Sequence, residues 1–297
     1  MKKISVALLL CLCFILAAAA PAMADGEVPA GEARAVIGAN LTDEQISQVY
    51  GMFGIRRGSV KELTVTNAEE REYLDGLVDS SIIGTNSISC IYVEILPAGD
   101  GLQIQTENLT WCTEEMFINA LVTAGIDDAR IIVAAPFQVS GTAALTGIYK
   151  AYEDISGRQL DEIAKLVSTQ ELVITGELAD EIGSYDAVTI VNEIKLILDE
   201  TRNMTDDEIK AEILSIAGDY DITLKDSQLD QLVTLCRALE KMNRDELREK
   251  VEYVQNTVKR LAEAQEKVSG ITETVKNIVN TITEFIDKII SFFTGTR

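Results

Sequence analysis

The run from 131 to 149, IIVAAPFQVSGTAALTGIY, carries no charge, although charged residues make up 25% of the chain. Arg130 and Lys150 close it at either end. A run of that length either crosses a bilayer or belongs to a folded interior. Its content selects the interior. Pro136, Gln138, Ser140, Gly141, Thr142, Thr146 and Gly147 interrupt it, whereas a spanning helix needs predominantly apolar side chains. Residues 131–134 therefore read as a buried strand and 136–140 as its exit turn. From Gly141 a helix begins that presents Leu145, Ile148 and Tyr152 to the core. Ala143, Ala144 and Gly147 are small enough to let that helix approach a sheet closely.

The chain before this junction mixes strand and helix signals. ARAVIGAN (33–40) reads as a strand, followed by a helix that Thr42 and Gln45 open as a capping box. SVKELTVTN alternates and is β-branched, which predicts a strand. Asn67 is placed to cap the helix AEEREYLDGLV. SISCIYVEIL and LQIQTENLTW flank the turn PAGDG, a pattern that predicts a β-hairpin. TEEMFINALVTAGI predicts a helix ending near Gly125, and DARIIVAAP a compact apolar strand. This order suits an α+β fold, a mixed sheet with helices covering one face. After Gly141 the signals are almost wholly helical, with a break inside RQLDEIAKLVSTQELVITGELADEIG left open. LTDEQISQV (41–49) and LKDSQLDQL (224–232) echo each other, which capping chemistry alone accounts for.

Both ends of the chain have their own character. Lys2 and Lys3 precede an apolar run over 4–20 broken only by Ser5, and Ala22, Met23 and Ala24 then offer small residues to a signal peptidase. That pattern predicts a secretory signal peptide cleaved after Ala24. At the other end Leu247, Val251, Val254, Val258 and Leu261 follow a heptad seam. Beyond Ser269-Gly270, Ile271, Val275, Ile278, Ile282, Phe285 and Ile289 repeat the spacing. The expected organisation is a signal peptide over 1–24, an α/β-mixed domain over 25–140, a helical region packed on it over 141–242, and an amphipathic, coiled-coil-like tail over 243–297. Self-association through the tail is one role for that seam. Direct membrane contact stays open, since the tail's polar face is not strongly basic.

Several chemistries are excluded by what the chain lacks. It has no histidine (His 0), which removes Ser-His-Asp and Cys-His catalysis and His-ligated zinc. The net charge of −22 becomes −24 once Lys2 and Lys3 leave with no acid, so nucleic acid is not expected as a partner. Cys90, Cys112 and Cys236 are too few for a disulfide framework. A bridge between Cys90 and Cys112 stays open, because they lie on the two runs of the expected hairpin. Ser140, Gly141 and Thr142 sit between a strand and a helix N-terminus, an arrangement that either packs or contacts a ligand. No P-loop Lys, GxGxxG or GxSxG accompanies them. The acidic run DYDITLKDSQLD (219–230) spaces Asp219, Asp221, Thr223 and Asp230 like a calcium loop. It has Leu224 where such a loop needs glycine, and it reads instead as a connector and helix cap. No catalytic residue, metal site or cofactor is expected.

Longer strings carry a resemblance. GANLTDEQ, LTVTNAEEREYL, NALVTAGIDDARIIVAAPFQVSGTAALTGIYKAYE, QELVITGELADEIG and DITLKDSQLDQLVTL resemble the YpuA-like family, secreted proteins of Gram-positive endospore-forming bacteria with a domain of unknown function. The resemblance spans 33–239 and implies an exported protein. It implies no catalytic residue, cofactor or substrate. Together these readings point to an exported, non-enzymatic binding or interaction protein of the cell envelope or extracellular space, its partner unidentified. A carboxylate-dependent cell-wall or peptide hydrolase and a coiled-coil scaffold are the alternatives.

Overall fold

In a computed structural model the chain is described over residues 30–77 and 80–243, together with Leu247, Lys250 and Val251. The signal peptide and the tail's heptad seam beyond Val251 lie outside the described residues. Fifteen elements follow one another among the described residues. The first half runs β1 (Ala33–Gly38), α1 (Asp43–Phe53), β2 (Lys61–Val65), α2 (Asn67–Leu74), α3 (Ser80–Ile83), β3 (Cys90–Ile95), β4 (Leu102–Leu109), α4 (Glu114–Thr123) and β5 (Ala129–Val139). The second half is helical: α5 (Ala143–Ser156), α6 (Glu162–Ile182), α7 (Ser184–Leu196), α8 (Leu198–Thr201), α9 (Asp206–Asp219) and α10 (Asp226–Leu239). The fold is α+β, and the sheet is mixed.

The strands order β2-β1-β3-β5-β4. The expected hairpin is therefore a correction: β3 and β4 do not pair. β5 lies between them, antiparallel to β3 and parallel to β4. Composition explains the placement. β5 is apolar on both faces, with Ile131, Val133, Ala134 and Ala135 fully buried, so it needs neighbours on each side. β4 alternates buried Leu102 and Ile104 with exposed Gln103 and Gln105, which suits an edge. The PAGDG loop spans the gap, two strand spacings of about 4.8 Å each. Asp128, at the entry to β5, fastens it: its Oδ1 accepts from the Gly99 and Gly101 amides at 2.9 and 2.7 Å.

Alternation along the strands divides the interior. Val36, Ile91, Val93, Ile131 and Val133 face α4 and α5 in one core. Ala35, Ile37, Cys90, Tyr92, Ile132 and Ala134 face α1, through Val49, Tyr50 and Phe53, in another. Helices thus cover both faces rather than one. The strand reading of α1's apolar side chains as a single layer failed because they recur at helical spacing and need a surface of their own. Three further expectations are corrected. Thr66, not Asn67, caps α2, because Thr66 has Glu69 three residues on and forms the reciprocal capping box. β5 continues through Pro136 to Val139, tolerating the missing amide at a register shift where Asn108 takes φ +63° and its Nδ2 donates to the Ala135 carbonyl at 2.8 Å. Finally, α6 is unbroken from Glu162 to Ile182.

α5 belongs to the first core, with Leu145 and Ile148 buried and Tyr152 packed against them. A third cluster joins α6, α7, α9 and α10 and takes in Leu247. Packing does not stop at 242: Leu247 and Val251 are buried, and Lys250 pairs with Asp127 at 3.0 Å. The close approach expected at Gly147 is present. A Cβ there would stand 2.3 Å from Ile91 Cδ1. Gly147→Ala gains about 1 kcal/mol of helix propensity against an overpacking cost of about 1–3 kcal/mol. The expected outcome is a net loss of about 1–2 kcal/mol, read from the urea midpoint. Unchanged or raised stability would show that α5 has room to move off the sheet.

Candidate functional site

Ser140, Gly141 and Thr142 occupy the passage from β5 to α5, where the sequence allows ligand contact. Gly141 takes φ +96°, and a Cβ there would come within 3.2–3.3 Å of Leu109 and Cys112, so glycine is required. Thr142 begins α5 without capping it; its hydroxyl instead donates to Glu70 Oε1 at 2.7 Å. The Ser140 and Thr142 hydroxyls lie 3.2 Å apart. Asn67 Nδ2 donates to the other Glu70 oxygen at 3.3 Å. Glu70 is buried, and burial pushes its carboxyl up, against the pull of the Thr142 and Asn67 donors and the Arg71 charge. The place where a strand–turn–helix would meet an anion already holds a carboxyl of the chain, delivered by α2.

The structure does not bring Cys90 and Cys112 together. Cys90 faces α1, where its sulfur accepts from the Gly38 amide at 3.4 Å, while Cys112 belongs to the core on the opposite face. Both thiols are free and buried. Burial pushes Cys90 up to about 12 and Cys112 higher still, so neither is a thiolate near neutral pH. In the acidic run, Asp219 ends α9, Asp221 takes φ +58°, and Asp230 of α10 pairs with Lys210 at 2.5 Å. The Lys225 amide donates to Gln228 at 2.7 Å, closing the start of α10. Among the described residues no group of three or more Cys, Asp or Glu side chains is placed to hold a metal ion.

A buried ionic network escaped the sequence reading. Lys195 of α7 donates to Glu171 Oε1 of α6 at 2.7 Å and to Asn119 Oδ1 of α4 at 2.9 Å. Thr123 donates to the second Glu171 oxygen at 2.6 Å. Lys195 and Glu171 are both buried. Burial pushes Glu171 up and Lys195 down, and their mutual attraction pulls each back. A signal was available: Val167, Glu171, Ile174 and Leu178 form one stripe at helical spacing, as do Val188, Val191 and Lys195. A charge on such a stripe needs a partner. This network ties α4, under the sheet, to the helical layer.

Concave surface lies elsewhere. One cavity of about 370 Å³ is lined by Val122, Gly125, Ile163, Met242, Leu247 and Lys250, among others. A second, of about 260 Å³, is lined by Leu77, Gln170, Val173, Ile174, Glu177 and Gln231, with Asp230 and Thr234. Both open on one stripe of α6: Ile163, Leu166, Gln170, Val173, Ile174 and Glu177 fall within about 100° of helix surface at 3.6 residues per turn. Ile163 and Leu166 are 51% and 47% exposed. α10 and the residues after it flank the stripe at both ends, so the two cavities are the ends of one groove. The carboxylates in it are engaged, Glu177 by Gln231 and Asp230 by Lys210. The buried carboxyls of raised pKa, Glu70, Glu114 and Glu171, line neither cavity. Among the described residues no helix is long and apolar enough to cross a membrane.

Comparison with known proteins places this geometry among relatives. The family described as "Protein of unknown function (DUF1002)" matches residues 37–261. The "Uncharacterized protein YpuA" of Bacillus subtilis (strain 168) is 36% identical over 296 residues, 99% of this chain and 96% of that protein. No solved structure matches the chain.

Proposed function

Taking as premise that the chain belongs to the DUF1002 family of unknown function, we propose that it is an exported, non-enzymatic binding protein of the cell envelope or extracellular space. Binding is through the groove along α6. One observation carries the reading: the carboxyls of raised pKa are sealed inside the body on intramolecular partners, while the groove offers apolar Ile163 and Leu166 between cavities lined by engaged polar groups. Such a surface suits helix-in-groove recognition, with anchors at i, i+3 and i+7. It offers no bare acid–base pair to a substrate. The leader over 1–24 supports export.

Cell fractionation tests the proposal. Producing cells are separated into cytosol, membrane, wall and medium for the parent chain and for Ile163→Asp/Leu166→Asp, whose substituted positions are exposed and leave the core intact. The parent is expected outside the cytosol, beginning at Asp25 and held with the envelope. The double variant is expected to move several-fold toward the medium. Parent chain retained in the cytosol with its leader intact overturns export. Identical distribution of two folded proteins overturns the groove as the binding surface.

A further inference from the structure

We propose that the groove along α6 is the seat of the chain's own C-terminal amphipathic segment, residues 271–293, which a partner must displace. The inference concerns the isolated chain, so it stands or falls separately from where the protein acts. Its first support is the point of departure. Leu247 and Lys250 form part of the wall of the first cavity, and Val251 is 1% exposed, so the remaining chain, 252–297, leaves from the mouth of the groove.

Length and pattern supply the second support. From Ile163 to Glu177 the stripe extends about 21 Å at 1.5 Å per residue. The seam Ile271, Val275, Ile278, Ile282, Phe285 and Ile289 extends about 27 Å as a helix, enough to fill the groove from one cavity to the other. The stretch 252–270 reaches about 28 Å as a helix, and Ser269-Gly270 allows the chain to turn back along the stripe. Charge is the third. Residues 252–297 hold six acids (Glu252, Glu263, Glu266, Glu273, Glu284, Asp287) and six bases (Lys259, Arg260, Lys267, Lys276, Lys288, Arg297), a balance of zero. A chain of net charge −22 does not repel a neutral segment, whereas it opposes an acidic partner. Half-exposed Ile163 and Leu166, one helical turn apart, gain a cover of matching apolar spacing.

Thiol labelling on the purified mature chain decides the matter. Cys90, Cys112 and Cys236 are buried, which keeps background reaction low. Leu166→Cys and Leu214→Cys are compared, two positions that are each 47% exposed, Leu214 lying on α9 away from the groove. With a maleimide as probe, Leu166→Cys is expected to react at least tenfold more slowly than Leu214→Cys. Adding Ile278→Asp and Ile282→Asp is expected to bring the two rates together. Equal rates in the otherwise unaltered chain overturn the proposal. So does protection that survives the tail substitutions. Protection that fades on dilution assigns the cover to the tail of a second copy, which overturns the intrachain seat.

Discussion

Lys195→Met is expected to cost about 3–5 kcal/mol of folding stability, because it leaves Glu171 buried without its cation. The donors that remain are insufficient. Thr123 still serves one Glu171 oxygen, but the oxygen that accepted from Lys195 loses its bond, as does Asn119 Oδ1. The double variant Lys195→Met/Glu171→Leu removes both charges and fills similar volume, so it is expected to recover most of the loss. Denaturant unfolding of the parent, both single variants and the double variant gives the coupling. Additive costs would mean that the pair is not a unit.

The pH dependence of Lys195→Met supplies an independent check. Burial already raises Glu171 in the parent, and losing Lys195 removes the force that opposes the rise. A carboxyl whose folded pKa lies above its unfolded value, about 4.3, contributes stability fully present below that value. The contribution is lost as pH rises toward the folded pKa. The variant's deficit is therefore expected to be smallest near pH 4 and to grow through neutrality. A deficit that stays constant over that range would assign the loss to packing alone.

How much of this was legible beforehand depends on the range of the signal. Local chemistry read well: Thr42 with Gln45 gives the predicted capping box, and the uncharged run from Ile131 folds as a buried strand leading into α5. Strand partnership did not. PAGDG between alternating runs is a sound hairpin signal, yet the insertion of β5 is decided by Asp128 and by apolar residues thirty positions on, which no local pattern encodes. The site shows the same division. Ser140, Gly141 and Thr142 were rightly located at a helix start, but the carboxyl that meets Thr142 comes from α2. The groove was invisible for a related reason. Its stripe on α6 breaks between apolar Leu166 and polar Gln170, and concavity arises only when α10 is laid beside it.

Gly176→Val tests the seam that holds this groove in place, and it is expected to cost about 2–3 kcal/mol. A Cβ at Gly176 would stand 2.5 Å from Trp111 Cζ2, 2.8 Å from Met116 Cε and 2.9 Å from Trp111 Cε2. The methionine end can swing aside. The indole is rigid, and its Nε1 donates to Asp180 Oδ2 at 3.2 Å, back to the same helix. Valine gains only about 0.5 kcal/mol of helix propensity over glycine, too little to offset a displaced ring or a tilted helix. Trp111 is the chain's only tryptophan (Trp 1), so its emission reports directly on the contact. A shift to longer wavelength should accompany the lost stability. Trp111→Leu, which makes space opposite position 176, should render the valine substitution several-fold less costly. If emission is unmoved and the two substitutions are additive, the layers have slack at this point. A tight contact has a consequence for binding. α6 carries the seam to α4 and the groove on different faces of one helix, so Gly176→Val should weaken seating in the groove with every groove residue unchanged.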